Sequence, residues 1–415
     1  MASSVRLRLD DPAAAGGLAT EIRALAPAAG DVSAAVARIV AAVRAGGDTA
    51  LREHAERLDA LAGPLRVERD ELCAALDGLD SPVRGALELA IANVGAVAHA
   101  GLGEDVLVEL EQGQSVLLRE VPVRRAAIYV PGGRAPYPSS VVMGAVTARA
   151  AGVEQVVVCA PGGHPAILAA CELCGVEEVY RAGGAHAVTA LACGTETIER
   201  VDVIAGPGNL WVQEAKRQLS GEVGIDGFAG PSDVLVLASA GADPALVAID
   251  LLAQAEHGEG TICVAAADDP GLLDEVAGRL AEADGRGAVL ALVDTPDPST
   301  ALALSEAFAP EHLELVGAAA EALAGRVRSA GCVFIGGSGA TAFGDYVAGS
   351  NHTLPTGGAA RFASGLNVRH FRRRMSEVRI GPAAATLAAP GAALARAEGF
   401  GLHAASMEVR ENQER

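Results

Sequence analysis

The 415-residue chain has few aromatic residues, one lysine and no long apolar run. Aromatic residues make up 3% of it, whereas 50% is apolar and 50 residues are glycine, a composition that favours helices packed closely on sheets. Apolar runs such as VVVCA and VLVLASA have the length of a strand, and the N-terminus lacks the apolar segment of a secretory signal. We therefore expect a cytoplasmic α/β protein with two lobes. Lys216 is the only lysine, and this scarcity of lysine relative to arginine is interpreted as codon bias of the source genome, with no bearing on function.

A basic surface and a disulfide framework are also missing. The formal net charge is −20, which argues against nucleic acid or an anionic membrane as a partner. Seven scattered cysteines fit a reducing compartment rather than a set of disulfides. Cys171 and Cys174 form a C-x-x-C sequence, but no second pair or nearby histidine completes a zinc site. We interpret these two cysteines as small core residues on a helix.

Strand and helix patterns alternate along most of the chain. RRAAIYVPGG, EQVVVCAPGG, EEVYRAGG and VDVIAGPGN are apolar strands that end in turns, with helical patterns between them. Successive strand-turn-helix units predict a parallel sheet with right-handed crossovers. A second set of strands runs from SDVLVLASA to CVFIGG. The predicted fold class is α/β, with two Rossmann-like parallel-sheet domains, one inserted into the other, and helical extensions at both ends.

The domain boundaries follow from this alternation. Two amphipathic helical patterns precede the first strands, and a break is expected at Gly46 and Gly47. The predicted segments are an N-terminal tail at 1–20, a discontinuous first domain of 21–128 plus 232–368, an inserted domain at 129–231, and a polar, helical C-terminal tail at 369–415.

The G-x-G-x-x-G fingerprint of dinucleotide-binding folds is absent, so a nicotinamide cofactor cannot be inferred from that pattern. Glycine-rich turns instead follow the strands at 130–133, 182–184 and 206–209. Ligands bind at the carboxyl ends of strands in open parallel sheets, because loop amides and helix N-termini converge there. A dinucleotide or phosphate site is one interpretation of these turns, and a tight strand-to-helix connection is the other.

The stretch QAEHG ends a helical pattern that begins at Asp243 and Pro244. Gln254 and His257 are three residues apart and share one face of its last turn. The negative end of the helix dipole favours a cation at this place. A single histidine near a helix C-terminus is also a common cap, so the stretch alone leaves both roles open for His257.

Further polar groups lie outside the regular patterns. Glu311 and His312 adjoin where a loop enters a strand, so their side chains point to opposite faces unless the backbone bends. A polar, glycine-containing loop and the final tail carry the others, which are Asp345, Ser350, Asn351, His352, Glu398 and His403. Mixed nitrogen and oxygen donors that suit zinc or another divalent first-row ion are offered by Gln254, His257, Asp345 and His403, although spacing alone does not show that they meet. His54, His99 and His164 are interpreted as structural or solvated.

Seven stretches together carry a family resemblance: YVPGGRAPYPSSV, GGAHAVTALACGTETI, VDVIAGPGNLWVQEAKRQL, AGPSDVLVLA, AQAEHG, APEHLEL and GDYVAGSNHTLPT. In this order and at these intervals they resemble the histidinol dehydrogenase family, over about residues 35–410 of the chain. The resemblance implies a zinc-containing homodimer that oxidises L-histidinol to L-histidine, the last step of histidine biosynthesis. It implies two successive NAD-dependent oxidations through a held aldehyde, with NAD bound by residues 129–231 and the C-terminal tail used for dimerisation.

The same resemblance implies roles for single residues. One zinc ion per subunit would be held by Gln254, His257, Asp345 and His403, with the tail that carries His403 crossing to a partner subunit. Glu311 and His312 would be the acid/base pair, in which His312 takes the hydroxyl proton and Glu311 activates water. Cofactor contacts fall on Tyr129, His186 and Asn209. Substrate contacts fall on Ser232, Gln254, His257, His312, Asp345, His352, Glu398 and His403.

Two residues depart from the family's usual sequence. His186 stands where glutamine is usual, and because imidazole titrates near neutrality, NAD affinity is expected to depend on pH. Asp233 stands where glutamate is commoner, which we regard as neutral. The main alternative is a paralogous zinc- and NAD-dependent dehydrogenase of another small diol or amino alcohol. A catalytically idle zinc-binding regulator is disfavoured by the Glu311–His312 pair, and a zinc hydrolase by the absence of H-E-x-x-H.

Overall fold

The computed structural model describes residues 4–27, 30–132 and 135–411. These residues form a six-stranded and a five-stranded sheet, both parallel, and a three-stranded antiparallel sheet. The predicted α/β class with two Rossmann-like parallel sheets is therefore confirmed. Within these ranges, no helix combines the length and the apolar character needed to cross a membrane.

The strands are numbered in chain order. They are β1 (Ser4–Arg8), β2 (Val106–Glu109), β3 (Ser115–Pro122), β4 (Arg125–Tyr129), β5 (Gln155–Cys159), β6 (Glu178–Tyr180), β7 (Val203–Ala205), β8 (Gly224–Ile225), β9 (Asp233–Ala238), β10 (Ile262–Ala267), β11 (Val289–Asp294), β12 (His312–Val316), β13 (Cys332–Ile335) and β14 (Arg372–Arg379).

The α-helices are numbered in the same way. They are α1 (Ala15–Ala24), α2 (Ser33–Leu58), α3 (Arg69–Asp77), α4 (Ser81–Ala100), α5 (Pro138–Ala150), α6 (Pro165–Leu173), α7 (Gly184–Cys193), α8 (Leu210–Leu219), α9 (Pro244–Ala255), α10 (Pro270–Ala281), α11 (Pro298–Phe308), α12 (Ala318–Glu321), α13 (Thr341–Tyr346), α14 (Ala384–Ala397) and α15 (Gly401–Glu408).

Both parallel sheets are doubly wound. The six-stranded sheet has the order β1-β11-β10-β9-β12-β13, and the five-stranded sheet has the order β6-β5-β4-β7-β8. Counted from β9 and from β4, each contains the strand order 3-2-1-4-5, and β1 adds an outer strand to the larger sheet. The points where the winding reverses therefore lie between β9 and β12 and between β4 and β7.

Aspartate-proline pairs begin three helices that cover the six-stranded sheet. Asp243, Asp269 and Asp297 are the N-cap residues of α9, α10 and α11, and each side chain accepts a backbone N–H of the first turn. Proline follows each aspartate at the first helical position, where its missing N–H has no intrahelical partner to lose. These pairs fix where each connection ends and each helix starts.

Both faces of the six-stranded sheet are buried. Leu235 and Leu313 pack in one cluster with residues of α1 and α11, whereas Val234 packs in another with residues of α9 and α10. Side chains alternate along a strand, so His312 and Glu314 of β12 lie on the face that α9 covers. This alternation decides which helix the polar residues of β12 can contact.

The predicted N-terminal tail at 1–20 is wrong for its described part. Ser4–Arg8 forms β1, which pairs in parallel with β11. Arg6 donates from Nε and Nη2 to the Asp294 carboxylate at 2.6 Å each, and Leu9 is buried. This short strand is mostly exposed, and two arginines interrupt its apolar residues. A prediction based on continuous buried apolar runs therefore misses it.

The second helix also differs from its predicted place. Helix α2 is bent at Gly47, whose φ of 52° is not helical, as the two glycines predict. Its residues Val36, Val43 and Leu51 pack in the cluster that contains β4, β5 and α8 of the five-stranded sheet. The predicted first domain of 21–128 therefore includes a helix that covers the sheet of the predicted inserted domain.

The C-terminal tail contains a strand as well as helices. Arg372–Arg379, predicted to be helical, forms β14 and pairs antiparallel with β3. Arg374 pairs with Glu120, and Arg119 with Glu377, so charged residues of both strands are used in cross-strand pairs. The chain divides into two compact units, Met1–Gly101 with Arg124–Phe371, and Leu102–Val123 with Arg372–Arg415.

Candidate active site

The amino ends of β9 and β12 hold a buried acidic pair. Asp233 N–H donates to Glu311 Oε2 at 3.0 Å, and Glu311 N–H donates to Asp233 Oδ1 at 2.6 Å. The two strands are neighbours at a winding reversal, with His312 opposite Val234. Each carboxyl group thus satisfies the backbone N–H of the other residue at the edge of the sheet.

Arg23 of α1 supplies the positive charge beside this pair. Its Nη1 lies 3.2 Å from Asp233 Oδ2, its Nη2 donates to the Phe308 carbonyl at 2.6 Å, and its guanidinium lies over the Phe308 ring. Burial raises the pKa of Asp233, and Arg23 opposes that shift. Asp233 was expected to have no effect different from that of the commoner glutamate, and Arg23 was not among the predicted site residues. The sequence offered one indication that Asp233 belongs to the site, because it directly follows the predicted substrate contact Ser232.

Glu311 is a carboxyl group with an altered acidity. Its Oε2 accepts the Ser232 hydroxyl as well as the Asp233 N–H. Burial, followed by the repulsion of Asp233, raises the pKa of Glu311 to about 8. A carboxyl group that titrates near neutral pH can both accept and return a proton there.

His312 is a buried neutral imidazole. Its Nδ1 lies 3.3 Å from the Asp233 carbonyl oxygen and 3.7 Å from Glu311 Oε2. Burial lowers the pKa of His312. Because a carbonyl only accepts, Nδ1 carries the proton in this contact and Nε2 keeps a lone pair. The ring therefore presents Nε2 as a base.

A chain of hydrogen bonds connects Gln254 to the acidic pair. Gln254 Nε2 donates to Ser232 Oγ at 2.5 Å, and the Ser232 hydroxyl donates to Glu311. Gln254 is 2% exposed and lies in the last turn of α9. Since its amide nitrogen is used in this chain, the Gln254 carbonyl oxygen is the atom left to bind another group.

His257, Asp345 and His352 lie near the same edge. The Asp345 carboxylate acts electrostatically on both His257 and His352. His352 Nδ1 donates to the Asp345 backbone carbonyl at 2.7 Å, which leaves its Nε2 unprotonated. Asn351 points to α5, where its amide nitrogen donates to the Met143 carbonyl at 3.0 Å. Asn351 therefore has a role in the fold that its loop position did not reveal.

The donor chemistry at this edge fits zinc. Gln254 offers a carbonyl oxygen, His257 an imidazole and Asp345 a carboxylate, which are borderline ligands that zinc accepts. In the part of one chain that the structure describes, no three His, Cys, Asp or Glu side chains form a metal-binding group. The described residues of one chain that lie near this edge with suitable donor atoms are Gln254, His257 and Asp345.

Glu398 and His403 lie in the smaller compact unit. Both are exposed, Glu398 as the C-cap of α14 and His403 on α15, where its ring makes an edge contact with Phe400. Phe400 and Leu402 are also exposed, Leu402 at 88%. Two polar residues thus sit on an open apolar surface.

The predicted cofactor residues lie at the carboxyl edge of the five-stranded sheet. Tyr129 ends β4, and its buried hydroxyl accepts the Gly184 N–H at the start of α7 at 3.0 Å. Asn209 is exposed, and its Oδ1 caps α8 by accepting the N–H groups of Trp211 and Val212. Helix N-termini at this edge supply N–H groups that suit a pyrophosphate, which fits a dinucleotide. Gly133 of the predicted 130–133 turn lies outside the described residues.

His186, the third predicted cofactor residue, is buried against Asp59. It is 1% exposed, and its Nε2 lies 2.8 Å from Asp59 Oδ2. The same Asp59 oxygen accepts the Gly183 N–H at 2.7 Å. His186 therefore acts on the glycine turn through Asp59, at the C-terminal end of α2.

The single lysine fixes the third glycine turn. Lys216 is 1% exposed; its Nζ donates to the Gly206 carbonyl at 2.5 Å and to Asp226 Oδ1 at 2.7 Å, and Asp226 Oδ2 accepts the Gly206 N–H at 2.7 Å. Gly206 has a φ of 120°, and a Cβ there would lie 2.1 Å from the Tyr129 carbonyl oxygen. Lys216 therefore has a structural role in this turn, which its sequence context did not reveal.

Together, these features define the class of protein. Two doubly wound sheets, one with glycine turns at its carboxyl edge and one with a buried acid/base pair at its amino edge, define a Rossmann-like α/β enzyme.

Comparisons with known proteins identify the family. Residues 25–411 match the family model described as histidinol dehydrogenase. The chain is 44% identical over 404 residues to histidinol dehydrogenase of Rhizobium meliloti (strain 1021), with 92% of each protein covered. It is 39% identical to that of Gluconobacter oxydans (strain 621H), with 97% of this chain and 99% of the relative covered. The crystal structure of histidinol dehydrogenase from Elizabethkingia anophelis matches with a TM-score of 0.91 and 30% identity over 98% of both chains. The chain belongs to the histidinol dehydrogenase family, whose members are oxidoreductases.

Removal of the buried lysine should destabilise the protein. Lys216→Met leaves Asp226 as an unpaired buried charge, which costs about 3–5 kcal/mol in comparable pairs. Denaturant unfolding measures this loss. Arg217→Met is the matched control, because Arg217 is the next residue and forms an exposed pair with Glu214, worth roughly 0–1 kcal/mol. Equal losses in the two variants would contradict the role assigned to Lys216.

Proposed function

We propose that this chain oxidises L-histidinol to L-histidine in two successive NAD-dependent steps, the last step of histidine biosynthesis. Family membership over residues 25–411 supports the reaction. The observation that carries the assignment of chemistry to residues is the buried Glu311–His312 pair beside Ser232 and Gln254. A base with a free lone pair and a carboxyl group that titrates near neutrality are the two groups that such a double oxidation needs.

In the first step, His312 acts as the base. Its Nε2 takes the proton of the substrate hydroxyl while hydride leaves the same carbon, and the O–H electron pair forms the carbonyl of the aldehyde. The Nδ1–H bond to the Asp233 carbonyl keeps the ring in the tautomer that can accept at Nε2. Burial lowers the pKa of His312, so the ring is unprotonated near pH 7 and can accept a proton.

In the second step, Glu311 activates water. Its carboxylate takes a proton from the water that adds to the aldehyde carbon, and the carbonyl oxygen takes the proton that His312 gained in the first step. The resulting hydrate then loses the second hydride and becomes the acid. The Ser232 hydroxyl and the Asp233 N–H hold the carboxylate at Oε2, which leaves Oε1 to take the proton. His312 again accepts the hydroxyl proton, now from the hydrate.

NAD would bind at the carboxyl edge of the five-stranded sheet, with Tyr129 and Asn209 beside it. When bound, NAD accepts hydride in both steps. Tyr129 and Asn209 flank the turns at Gly184 and Gly206, which supports this location. His186 would influence NAD through the Asp59 bond to Gly183.

One zinc ion per subunit would be held by Gln254, His257, Asp345 and His403. Zinc, when bound, would supply a cation that holds and orients the nitrogen donors of the substrate. Ser232, His352 and Glu398 would complete the substrate contacts. We propose that His403 and Glu398 come from the partner of a homodimer, a view supported by the exposed apolar residues beside them. Seven free cysteines support a reducing, cytoplasmic location.

Product stoichiometry tests the function. The purified protein should form about two NADH per L-histidinol consumed, because two hydrides leave the substrate.

Dialysis against a chelator should remove zinc and activity together, and added zinc should restore both. NADH absorbance and metal analysis are the measurements. No NADH from L-histidinol, or full activity in zinc-free protein, would refute the respective proposal.

The two residues of the acid/base pair should affect different steps. Glu311→Gln should retain much of the first oxidation but oxidise histidinaldehyde poorly, because an amide cannot accept a proton. His312→Asn should impair both steps, each by about 100- to 10,000-fold. Single-turnover NADH formation from histidinol and from histidinaldehyde separates the steps. If Glu311→Gln slows both equally while zinc content stays intact, the two residues do not divide the work in this way.

Subunit mixing tests completion of the site by a partner. His257→Ala and His403→Ala dimers should each be inactive, but exchanged heterodimers would contain one intact site, so about one quarter of wild-type activity should return. His257→Ala mixed with Asp345→Ala is the matched control, because both lesions lie in the same half of the site and no intact site can form. Recovery in neither mixture, with exchange verified, would place the whole site within one chain.

A further inference from the structure

A second pair of carboxyl groups lies between β12 and α9, outside the acid/base site. Glu314 is 1% exposed and follows His312 by two residues, so it lies on the same face of β12. Asp250 of α9 precedes Gln254 by one helical turn. Glu314 thus lies on the face of β12 that α9 covers, and each of the two carboxyl groups influences the pKa of the other. They have no role in the chemistry proposed above.

Glu314 also contacts a third element. Its Oε1 accepts the Thr341 N–H at 3.0 Å, and Thr341 is the first residue of α13. The first N–H groups of a helix lack intrahelical partners, and a carboxyl oxygen satisfies one of them. Asp345 lies four residues further along the same short helix. One side chain on β12 thus faces the helix of Gln254 and accepts a hydrogen bond from the helix of Asp345.

The contact between the two carboxyl groups requires a proton. Glu314 Oε2 is buried, and no N–H group or hydroxyl side chain of the described residues donates a hydrogen bond to it. Two ionised carboxylates that face each other in a buried place would repel each other, whereas one shared proton would make an O–H···O bond between them. In agreement, burial and then Asp250 raise the pKa of Glu314 to about 8, and burial raises the pKa of Asp250.

We propose that the Asp250–Glu314 pair, joined by one proton, is a positioning device that fixes α9 and α13 against β12. Through these elements it sets where Gln254 and Asp345 lie relative to His312. The inference rests on the proposed function, since that function gives those residues their roles. Asp250 and Glu314 are positioning residues and touch neither substrate nor cofactor.

Variants of Asp250 separate positioning from simple loss of stability. Asp250 is partly exposed, so its replacement is compatible with folding. Asp250→Ala removes the bond to Glu314, whereas Asp250→Asn keeps it because the amide can donate to the Glu314 carboxylate. Asp250→Ala should lower kcat about 10- to 100-fold, as expected for a small misplacement of reacting groups, and should lose zinc more readily. Asp250→Asn should restore both, and KM for NAD should stay unchanged.

The control is a carboxyl group just beyond the same strand. Glu321 accepts the Gly317 N–H through Oε1 and lies outside the pair. Glu321→Gln should leave kcat and zinc retention at the wild-type level. If Asp250→Ala also retains both, or if Asp250→Asn fails as badly as Asp250→Ala, the pair does not position the site.

The pH dependence of unfolding gives a readout that needs no activity. The groups around Glu314 are Asp250 from α9, the Thr341 N–H from α13, and the apolar neighbours Val236 and Phe334 on the flanking strands. Because the pKa of Glu314 is higher in the folded than in the unfolded state, its contribution to stability is lost as pH rises toward and through about 8. Glu314→Gln should remove this loss, because its amide donates to Asp250 without a titratable proton.

The unfolding curves should be compared as the difference between wild type and Glu314→Gln, since Glu311 also titrates near pH 8. A difference that stays constant from about pH 6 to about pH 9 would overturn the shared proton. If the wild-type protein forms no NADH from L-histidinol, the proposed function fails instead. Zinc retention and the unfolding curves of the variants would still decide whether the pair holds α9 and α13.

Discussion

The reciprocal hydrogen bonds between Asp233 and Glu311 are the contact on which the site depends. Each backbone N–H meets the other residue's carboxyl group, so the edge of β9 cannot move without the edge of β12. Buried carboxyl groups are costly unless they are paired and hydrogen-bonded. Arg23, Ser232 and the two N–H groups meet that requirement. The first helix of the chain is therefore part of the active-site edge, although none of its residues need touch a substrate.

The proposed dinucleotide and metal sites lie at opposite kinds of edge, one at the carboxyl ends and the other at the amino ends of parallel strands. Helices that connect parallel strands run back across the sheet, so their N-termini lie at the carboxyl edge and their C-termini at the amino edge. Helix N-termini attract anions and helix C-termini attract cations. The turns at Gly184 and Gly206 follow the first pattern, and Gln254 and His257 at the end of α9 follow the second. A dinucleotide and a metal ion thus suit different edges for one physical reason.

The buried parts of the fold were predicted well from the sequence. Apolar strands and capped helices produce local patterns, in which all the residues that matter lie within a few positions of one another. The alternation from β4 to β13 is of this kind. Strands β1 and β14 were missed because their arginines pair with acids far along the chain, such as Asp294 and Glu120. No local pattern shows such a partner. The helix break at Gly47 was predictable, whereas the sheet that α2 covers was not.

The candidate site was predictable only in part, for similar reasons. Quoted motifs led to Glu311, His312 and Gln254, which the structure brings together at one edge. Asp233 was undervalued because its importance lies in a bond to a residue far along the chain. The bond of His186 to Asp59 was not predictable from local sequence, since Asp59 follows α2, far along the chain. Glu398 and His403 lie in the smaller unit, and no local pattern in the sequence shows which residues they meet.

The burial of Lys216 has a consequence for chemical modification. It is the chain's one lysine, and its amine is enclosed by the Gly206 carbonyl and Asp226. The folded protein therefore offers no side-chain amine to acylating reagents. Acylation of Lys216 requires the Gly206 turn to open, so its rate would report the opening of that turn, free of any background from other lysine side chains.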